Sequence, residues 1–273
     1  MTPDWQTADG AVKLYCADCL RVLPTLPESS FNVVVTDPPY GHGNNDNEDL
    51  IAVWERATGK GGYDPKQNRP IANDGPEANE VYRAVLPFLY EALKPGCCCC
   101  CCGGGGGPDL QFARWSLWMD EVFQFKQMVV WDKGPMGMGW HYRRSYETVL
   151  VGEKPGAKCA WFGGRNKENI IRPGQYGIRK IIPSADEHPC AKPVELYQHF
   201  IGLHTEEGGL VLDPFMGEGP CGVACILSGR RFVGIELDRH WFDKAVERIK
   251  SAIDGVQPDE RRAGQMALWR SET

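Results

Sequence analysis

The sequence predicts an α/β protein built around a mostly parallel sheet, because helical and strand-like patterns alternate along it. Apolar residues recur every four positions in residues 77–93, which predicts a helix, and the small apolar residues 97–102 follow as a strand. Residues 108–122 return to helical spacing. Two further apolar runs, residues 31–37 and 209–213, each end on an aspartate. Such alternation is typical of parallel sheets, and ligands bind at the carboxyl ends of their strands.

Length and composition favour one large domain. The chain has 273 residues, of which 42% are apolar and 24% are charged, so residues 1–273 can bury a full core. No stretch approaches the roughly 20 apolar residues that cross a bilayer, and the first residues lack the pattern of a secretion signal. We therefore expect a cytoplasmic protein with no membrane partner, in which the 12 cysteines are thiols rather than disulfides.

The six consecutive cysteines at residues 97–102 allow two interpretations. The run and the CxxC spacing of Cys16 and Cys19 are compatible with metal ligation, but adjacent residues of a strand point alternately to opposite faces, so four thiolates would not converge. Free cysteine otherwise packs as a small apolar side chain. We therefore predict a buried strand and no metal site.

A glycine turn after the second apolar run indicates a nucleoside cofactor. The turn contains Gly217 and Gly219 and opens a helix, and the strand predicted over residues 231–236 ends on Glu236. An acid about 20 residues after the first strand can accept hydrogen bonds from ribose hydroxyls, while glycine lets a ligand approach the backbone. A GxG turn alone is as typical of close helix packing. The absence of a P-loop lysine disfavours triphosphate ligands.

The first apolar run leads into the segment Asp37, Pro38, Pro39 and Tyr40. The two prolines fix the backbone, and the Pro38 carbonyl remains free to accept a hydrogen bond. Together with the Asp37 carboxylate, it can bind the two N–H bonds of an exocyclic amine, while Tyr40 offers a flat face on which a base can stack. The segment therefore predicts a site for an aromatic amine.

With these motifs the chain resembles the amino-methylating DNA methyltransferases, in the β arrangement that places the catalytic DPPY segment before the cofactor segment. Residues 16–27 look like the family's segment leading into the catalytic strand, whose aspartate, here Asp18, lies by the adenine of S-adenosylmethionine. Residues 188–196, which contain Lys192, resemble the HPxxKPxxL segment beside the cofactor. Residues 213–219 and 234–236 match the cofactor loop and the ribose-binding strand.

The resemblance implies a Rossmann-like methyltransferase fold with helices on both faces of the sheet, and S-adenosylmethionine as cofactor. The implied catalytic residues are Asp37, Pro38, Pro39 and Tyr40, and the implied cofactor-binding residues are Asp18, Asp37, Lys192, Asp213, Phe215, Gly217, Gly219 and Glu236. The cofactor loop departs from the family's usual Gly-Ser-Gly-Thr-Thr at Glu218 and Pro220. Glu218 either faces solvent or favours a cation such as the sulfonium.

The reaction implied is transfer of a methyl group to the N6 amine of adenine in double-stranded DNA. Because a paired amine is inaccessible, we expect the base to be flipped into the site. A cytosine N4 methyltransferase would act on its amine in the same way, although in those enzymes serine is more usual than aspartate at the position of Asp37. A non-catalytic DNA-binding protein on the same fold is the alternative of another class.

Residues 126–180 are the predicted target-recognition region, since they carry 11 Lys or Arg against four acidic residues in a chain of net charge −6. The candidate DNA-binding residues are Lys133, His141, Arg143, Arg144, Arg165 and Lys167. For each of these residues, the alternative to DNA binding is that it belongs to a basic surface that faces solvent. Residues 41–76 are predicted to form a mobile loop over the active site, and residues 254–273 a loosely held tail. A homodimer and a cognate restriction endonuclease are left open as partners.

Overall fold

The computed structural model describes residues 1–41, 72–103, 111–134, 145–178 and 192–255. Within them one nine-stranded sheet has the order β1-β2-β9-β8-β3-β4-β6-β5-β7. The strands are β1 (Trp5–Gln6), β2 (Val12–Cys16), β3 (Phe31–Thr36), β4 (Leu93–Gly103), β5 (Gln124–Asp132), β6 (Tyr146–Glu153), β7 (Ile170–Ile171), β8 (Leu210–Asp213) and β9 (Arg231–Glu236).

The centre of the sheet is parallel, as the sequence predicts. Neighbouring strands run parallel from β2 through β9, β8 and β3 to β4, whereas β6 is antiparallel to both β4 and β5. The chain leads from β3 outwards to β4 and from β8 in the other direction to β9. The carboxyl ends of β3 and β8 therefore flank a topological switch point, which is where open α/β sheets bind their ligands.

Helices cover both faces of this sheet. They are α1 (Cys19–Val22), α2 (Ala78–Ala92), α3 (Gln111–Val122), α4 (Val194–His204), α5 (Pro220–Leu227) and α6 (Arg239–Asp254), with short 3-10 turns at Leu23–Thr25 and Gln175–Gly177. Tyr82 of α2 lies beside Cys99 and Cys101 of β4, whereas Tyr197 of α4 lies near Cys102. Since adjacent residues of a strand point to opposite faces, α2 and α4 pack on opposite sides of β4.

The cysteine run forms the middle of β4, which confirms the prediction of a buried strand. Each of the six side chains is at most 5% exposed. The strand lies between β3 and β6, so both edges of its backbone are hydrogen-bonded. Burial raises the pKa of Cys98 and Cys100, which keeps these two thiols protonated and apolar in character. Within the described ranges, no three His, Cys, Asp or Glu side chains are grouped as metal ligands would be.

The other predicted elements agree closely with the observed ones. The run at residues 31–37 is β3, the run at 209–213 is β8, and the helix over 77–93 is α2 with Glu77 as its N-cap. The helix predicted over 108–122 is α3, although residues 104–110 lie outside the described part of the chain. No helix in the described ranges is long and apolar enough to cross a membrane.

Candidate active site

A pocket opens at the carboxyl edge of the sheet, where β3 and β8 diverge. It is bounded by the segments that follow β2, β3, β8 and β9 and by the first turns of α1, α4, α5 and α6. The lining residues are Ala17, Asp18, Cys19, Asp37, Pro38, Pro39, Tyr40, Ala72, Asn73, Asp74, Lys192, Tyr197, Pro214, Phe215, Met216, Gly217, Glu218, Pro220, Glu236, Leu237, Asp238 and Trp241. The catalytic segment and the nucleoside-binding turn predicted from sequence thus meet in one pocket.

Asp37 is held from both sides at the edge of this pocket. Lys192 Nζ donates a hydrogen bond of 2.7 Å to Asp37 Oδ2, and the Tyr40 hydroxyl donates to Asp37 Oδ1. Burial raises the pKa of Asp37, the Lys192 cation lowers it, and the Glu147 carboxylate raises it, with a net increase. The carboxylate is therefore oriented, and it binds a proton more readily than an exposed aspartate would.

The Tyr40 side chain is buried and contacts both an aromatic ring and a cation. Its ring centroid lies 6.2 Å from that of Trp115, and Lys192 Nζ lies 5.1 Å from the Tyr40 centroid. Burial raises the pKa of the Tyr40 hydroxyl well above its ordinary value, so the group keeps its proton and donates a hydrogen bond to Asp37. Stacking of Tyr40 on a flipped base stays a prediction.

Asp74 fixes the backbone that follows the prolines. Its Oδ1 accepts hydrogen bonds from the Tyr40 amide at 2.8 Å and from the Gly41 amide at 2.7 Å, and the residue is only 2% exposed. Sequence reasoning missed this residue, because it is one of many Asp and Asn in the segment 41–76, which was predicted to be a mobile loop. Residues 42–71 of that segment lie outside the described residues.

The end of β9 and the glycine turn are joined through Glu236. Its Oε2 accepts the Gly217 amide at 2.9 Å, and its Oε1 accepts the Asp238 amide at 2.8 Å. Burial raises the pKa of Glu236 to about 7. Because a carboxylate offers about four lone pairs, both oxygens keep the capacity to accept a hydroxyl of a bound nucleoside.

The two glycines of the turn have different roles. A Cβ at Gly217, whose φ is +53°, would meet nothing within 4 Å, so that side of the turn is open to the pocket. A Cβ at Gly219 would lie 3.0 Å from Ala245 Cβ of α6, and Gly219 does not line the pocket. Gly217 thus leaves room for a ligand, whereas Gly219 allows a close helix contact.

Asp213 was predicted to bind the cofactor, but it lies beneath the turn and does not line the pocket. It is fully buried, and its Oδ1 accepts the Thr36 hydroxyl at 2.6 Å and the Phe215 amide at 3.1 Å. Burial raises the pKa of Asp213 to about 7. Its observed role is to hold the cofactor loop against β3.

Glu218 does not face solvent, which corrects one of the two expectations for this residue. It is 4% exposed, and its Oε1 accepts a hydrogen bond from the Arg248 guanidinium of α6. The carboxylate that replaces a serine of the family's usual loop is therefore paired by a cation from the neighbouring helix. Pro220 occupies the first turn of α5, where its missing N–H costs nothing.

Lys133 was predicted to bind DNA, and the structure places it in a charged network beside the pocket. Its Nζ donates a hydrogen bond to Glu147 Oε1 at 2.6 Å, and Glu147 Oε2 lies 3.3 Å from Lys192 Nζ.

The other candidate DNA-binding residues lie elsewhere. Arg165 and Lys167 are exposed and lie outside the pocket lining, and Lys167 Nζ is 5.1 Å from the Tyr176 ring centroid. His141, Arg143 and Arg144 lie outside the described residues.

The pocket has the chemistry of a nucleoside site. The Glu236 carboxylate, the open side of Gly217 and the Asp18 side chain provide acceptors and room, and Phe215 and Trp241 provide apolar surface. Asp18 Oδ1 also caps α1 by accepting the Leu20 amide at 2.9 Å. These residues fit a nucleoside-containing cofactor next to an acceptor of amine hydrogens, which defines a methyltransferase site of the amine-modifying class.

Comparisons with known proteins agree with this class. The family model for N6/N4 DNA methylases matches residues 31–247. The M2.DpnII type II methyltransferase of Streptococcus pneumoniae is 24% identical over 250 residues, covering 86% of this chain and 88% of the relative. The DNA adenine methyltransferase YhdJ of Escherichia coli is 24% identical over 287 residues, covering 92% of this chain and 88% of the relative.

Solved structures share the fold. The cytosine-N4-specific PvuII DNA methyltransferase has a TM-score of 0.63 at 18% identity, covering 93% of this chain and 96% of that one. The M1.HpyAVI complex with S-adenosylmethionine has a TM-score of 0.56 at 23% identity, covering 87% and 99%. The chain therefore belongs to the N6/N4 DNA methylase family, and its sheet is that of an S-adenosylmethionine-dependent methyltransferase. S-adenosylmethionine is the cofactor of this family.

Proposed function

We propose that the protein methylates the exocyclic N6 amine of adenine in double-stranded DNA. The observation that carries the proposal is the position of the Asp37 carboxylate, which is held at the edge of the cofactor pocket directly before two prolines. An oriented carboxylate and a fixed carbonyl at Pro38 match the two N–H bonds of an aromatic amine. Adenine is favoured because aspartate rather than serine stands at position 37.

Asp37 and Pro38 would make the amine a better nucleophile. The lone pair of an aromatic amine is delocalised into the ring, and hydrogen bonds to both N–H groups favour a pyramidal nitrogen that carries more positive charge. Asp37 also stabilises the charge that grows on this nitrogen in the transition state. Because burial raises the pKa of Asp37, the same carboxylate can take the proton that the methylated nitrogen releases.

The residues around the glycine turn would hold the cofactor. S-adenosylmethionine supplies an electrophilic methyl group when it is bound. Glu236 would accept the ribose hydroxyls, Gly217 would allow the close approach, Asp18 would lie by the adenine and Phe215 would add apolar contact. Lys192 would orient Asp37 rather than the cofactor, since its ammonium is already bound to that carboxylate.

The DNA would be engaged by flipping the target base into the pocket. The amine of a paired adenine is blocked by its partner, so chemistry on it needs an extruded nucleotide. Tyr40 is placed to contact the flipped base, and the exposed Arg165 and Lys167 are candidates for phosphate contacts, as are His141, Arg143 and Arg144 on sequence grounds. The similar M2.DpnII protein is named as a type II methyltransferase, so a cognate restriction endonuclease is the partner we would look for first.

Methylation of cytosine N4 is the second candidate, and the structural likeness to the cytosine-N4-specific PvuII enzyme favours keeping it. The N4 amine also presents two N–H bonds, so the roles of Asp37 and Pro38 would be unchanged. What would differ is the depth and shape of the base pocket around Tyr40.

The test is transfer of labelled methyl from S-adenosylmethionine to unmethylated duplex DNA, with the nucleosides separated after digestion. Asp37→Asn is run beside the wild type, with Asp243→Asn on α6 as the matched control, because Asp243 is an exposed aspartate paired with Arg239. Label in N6-methyladenine that falls by at least about a hundredfold in Asp37→Asn alone is expected.

The other outcomes each have a definite meaning. Label in N4-methylcytosine would replace adenine by cytosine and keep the roles of the residues. Absence of label in any DNA, together with absence of cofactor binding by calorimetry, would overturn the proposal in favour of a non-catalytic DNA-binding protein.

A further inference from the structure

Glu147 links the catalytic carboxylate to a second lysine. Its Oε1 accepts the Lys133 ammonium at 2.6 Å, and its Oε2 lies 3.3 Å from Lys192 Nζ, which in turn donates to Asp37 at 2.7 Å. The four groups form an alternating series of cation and anion that leads from Lys133, outside the pocket lining, to Asp37 at the edge of the pocket. The Lys192 ammonium is only 3% exposed, so this series is shielded from solvent at its centre.

Glu147 carries its charge near the start of a largely buried strand. The six residues that follow it in β6 are buried, and most of them are apolar. Its side chain is 18% exposed, so its charge has been removed from most of its hydration. Burying a carboxylate is costly unless it is paired, and here two lysines pair it. Burial raises the pKa of Glu147, but the Lys192 and Lys133 cations together lower this pKa by more than burial raises it, so the group remains charged.

The groups that surround Asp37 come from several elements, and their charges differ. Tyr197 belongs to α4, and Lys192 precedes that helix. Cys102 belongs to β4, Glu147 belongs to β6 and Asp213 belongs to β8. Tyr40 follows Asp37 in the chain. Glu147 itself faces Lys133, Lys192, Asp37, Tyr40 and Cys102. Lys192 is thus the cation next to Asp37, and Glu147 is the anion that shares it.

We propose that Glu147 is a positioning residue for methyl transfer, whose carboxylate shares the Lys192 ammonium with Asp37 and so limits how much positive charge Asp37 receives. The inference rests on the proposed function and names a residue that the reaction needs although it does not touch the substrate. Without the Glu147 charge, Lys192 would pair with Asp37 more tightly, and Asp37 would be a weaker acceptor for the amine. With Glu147 present, the two cations are matched by two anions.

Loss of the Glu147 charge should alter Asp37 in a defined direction. Glu147 raises the pKa of Asp37, so its removal should lower that pKa and make the carboxylate a weaker acceptor of the amine's hydrogens. The Lys192 ammonium would also lose one of its two carboxylate partners and pair more tightly with Asp37. Because Asp37 stabilises the positive charge that develops on the amine nitrogen in the transition state, we expect kcat to fall by roughly tenfold to a hundredfold.

The experiment uses Glu147→Gln, which keeps the shape of the side chain and removes its charge. Glu153→Gln is the matched control, because Glu153 lies on the same strand, is also largely buried and is also paired with a lysine, 3.3 Å from Lys126 Nζ, but lies at the opposite edge of the sheet. Two readouts are taken for each protein. One is the titration of Asp37 by its ¹³Cγ chemical shift, assigned by its loss in Asp37→Asn, and the other is kcat and the Kd for DNA across pH.

The expected result is a lower midpoint of the Asp37 titration and a lower kcat in Glu147→Gln, with an unchanged Kd for DNA and no change in Glu153→Gln. An Asp37 midpoint that is the same in Glu147→Gln and wild type would overturn the inference. So would an unchanged kcat with a higher Kd for DNA, since Glu147 would then act through Lys133 on binding. Because the titration needs no substrate, a wild type that methylates no DNA would refute the proposed function and leave this test intact.

Discussion

The Thr36 hydroxyl donates a 2.6 Å hydrogen bond to Asp213 Oδ1 and thereby joins the end of β3 to the end of β8. Both residues are at most 1% exposed. Thr36 directly precedes the catalytic segment, and Asp213 also accepts the amide of Phe215 at 3.1 Å at the start of the cofactor loop. One buried contact therefore fixes the distance between the two halves of the active site.

Replacing Thr36 by valine should loosen this contact without changing the shape of the side chain. The Asp213 carboxylate would lose a donor in a place that water does not reach, so we expect the free energy of unfolding to fall by about 1–3 kcal/mol. The affinity for S-adenosylmethionine should fall as well. Chemical denaturation and calorimetry measure the two effects, and Thr36→Ser, which keeps the hydroxyl, should retain most of both. Equal losses in the serine and valine variants would contradict this account.

Much of this architecture could be predicted from the sequence because it depends on local patterns. The strand that ends in Asp37 and the strand that ends in Glu236 are short apolar runs bounded by turn residues, and parallel strands bring their carboxyl ends to one edge. The cysteine strand followed from the helix that stops at Lys94 and from the apolar character of buried thiols.

The residues that sequence reasoning missed depend on contacts between distant parts of the chain. Glu147 stands at the start of a strand, and only the antiparallel direction of β6 brings that start to the catalytic edge of the sheet. Asp74 reaches Tyr40 across 34 positions of the chain. Asp213 was assigned to the cofactor because it precedes the glycine turn, but a carboxylate at the end of a strand can also turn inwards and hold the loop. No local pattern distinguishes these cases.

The two glycines of the cofactor turn should respond differently to alanine. Gly217→Ala places a Cβ in open space, so its cost to stability should be limited to about 1–2 kcal/mol for a left-handed backbone, with a clear loss of cofactor affinity. Gly219→Ala adds a contact at 3.0 Å with Ala245 and should therefore destabilise the fold more. Thermal unfolding and cofactor titration of both variants measure this. Greater destabilisation by Gly217→Ala would show that the roles are reversed.

Arg248 should matter more for stability than another arginine of the same helix. Arg248→Met leaves the buried Glu218 carboxylate without its guanidinium partner, and we expect a loss of about 1–3 kcal/mol. Arg239→Met removes an ion pair with Asp243 in which both side chains are more than half exposed, and it should leave stability nearly unchanged. Urea denaturation of the two variants gives the comparison. Similar losses in both would mean that the Glu218 pair contributes no more than a surface pair.

The cysteines should differ sharply in their reactivity towards iodoacetamide. Cys159 is exposed, whereas the six cysteines of β4 are buried, and the pKa values of Cys99 and Cys100 are raised, so the thiolate form that reacts is scarce in these two. We expect native protein to be alkylated at Cys159 long before any residue of β4, and denaturant to remove the difference. Peptide mass spectrometry after timed labelling measures the order. Early modification of Cys99 or Cys100 in native protein would show that β4 opens readily.

Stability should decline as the pH rises towards neutrality because of two buried carboxyls. Burial raises the pKa of Asp213 from 3.8 to about 7 and that of Glu236 from 4.5 to about 7. The folded protein therefore binds protons more tightly than the unfolded chain between about pH 4 and pH 7. The resulting contribution to the free energy of unfolding is complete at the acid end of that interval, and it is lost as the pH rises past the pKa values of the two groups in the folded protein.

Asp213→Asn removes one of these two groups and should flatten the decline of the melting temperature between pH 5 and pH 8, whatever it does to absolute stability. Glu236→Gln should do the same independently. Replacement of the exposed Glu206 by glutamine is the control and should leave the slope of the wild type unchanged. Calorimetric melting at several pH values, without cofactor, measures the slopes. A wild-type stability that rises over this interval, with an unchanged slope in Asp213→Asn, would mean that Asp213 is charged in the folded protein and that its two hydrogen bonds outweigh the cost of burial.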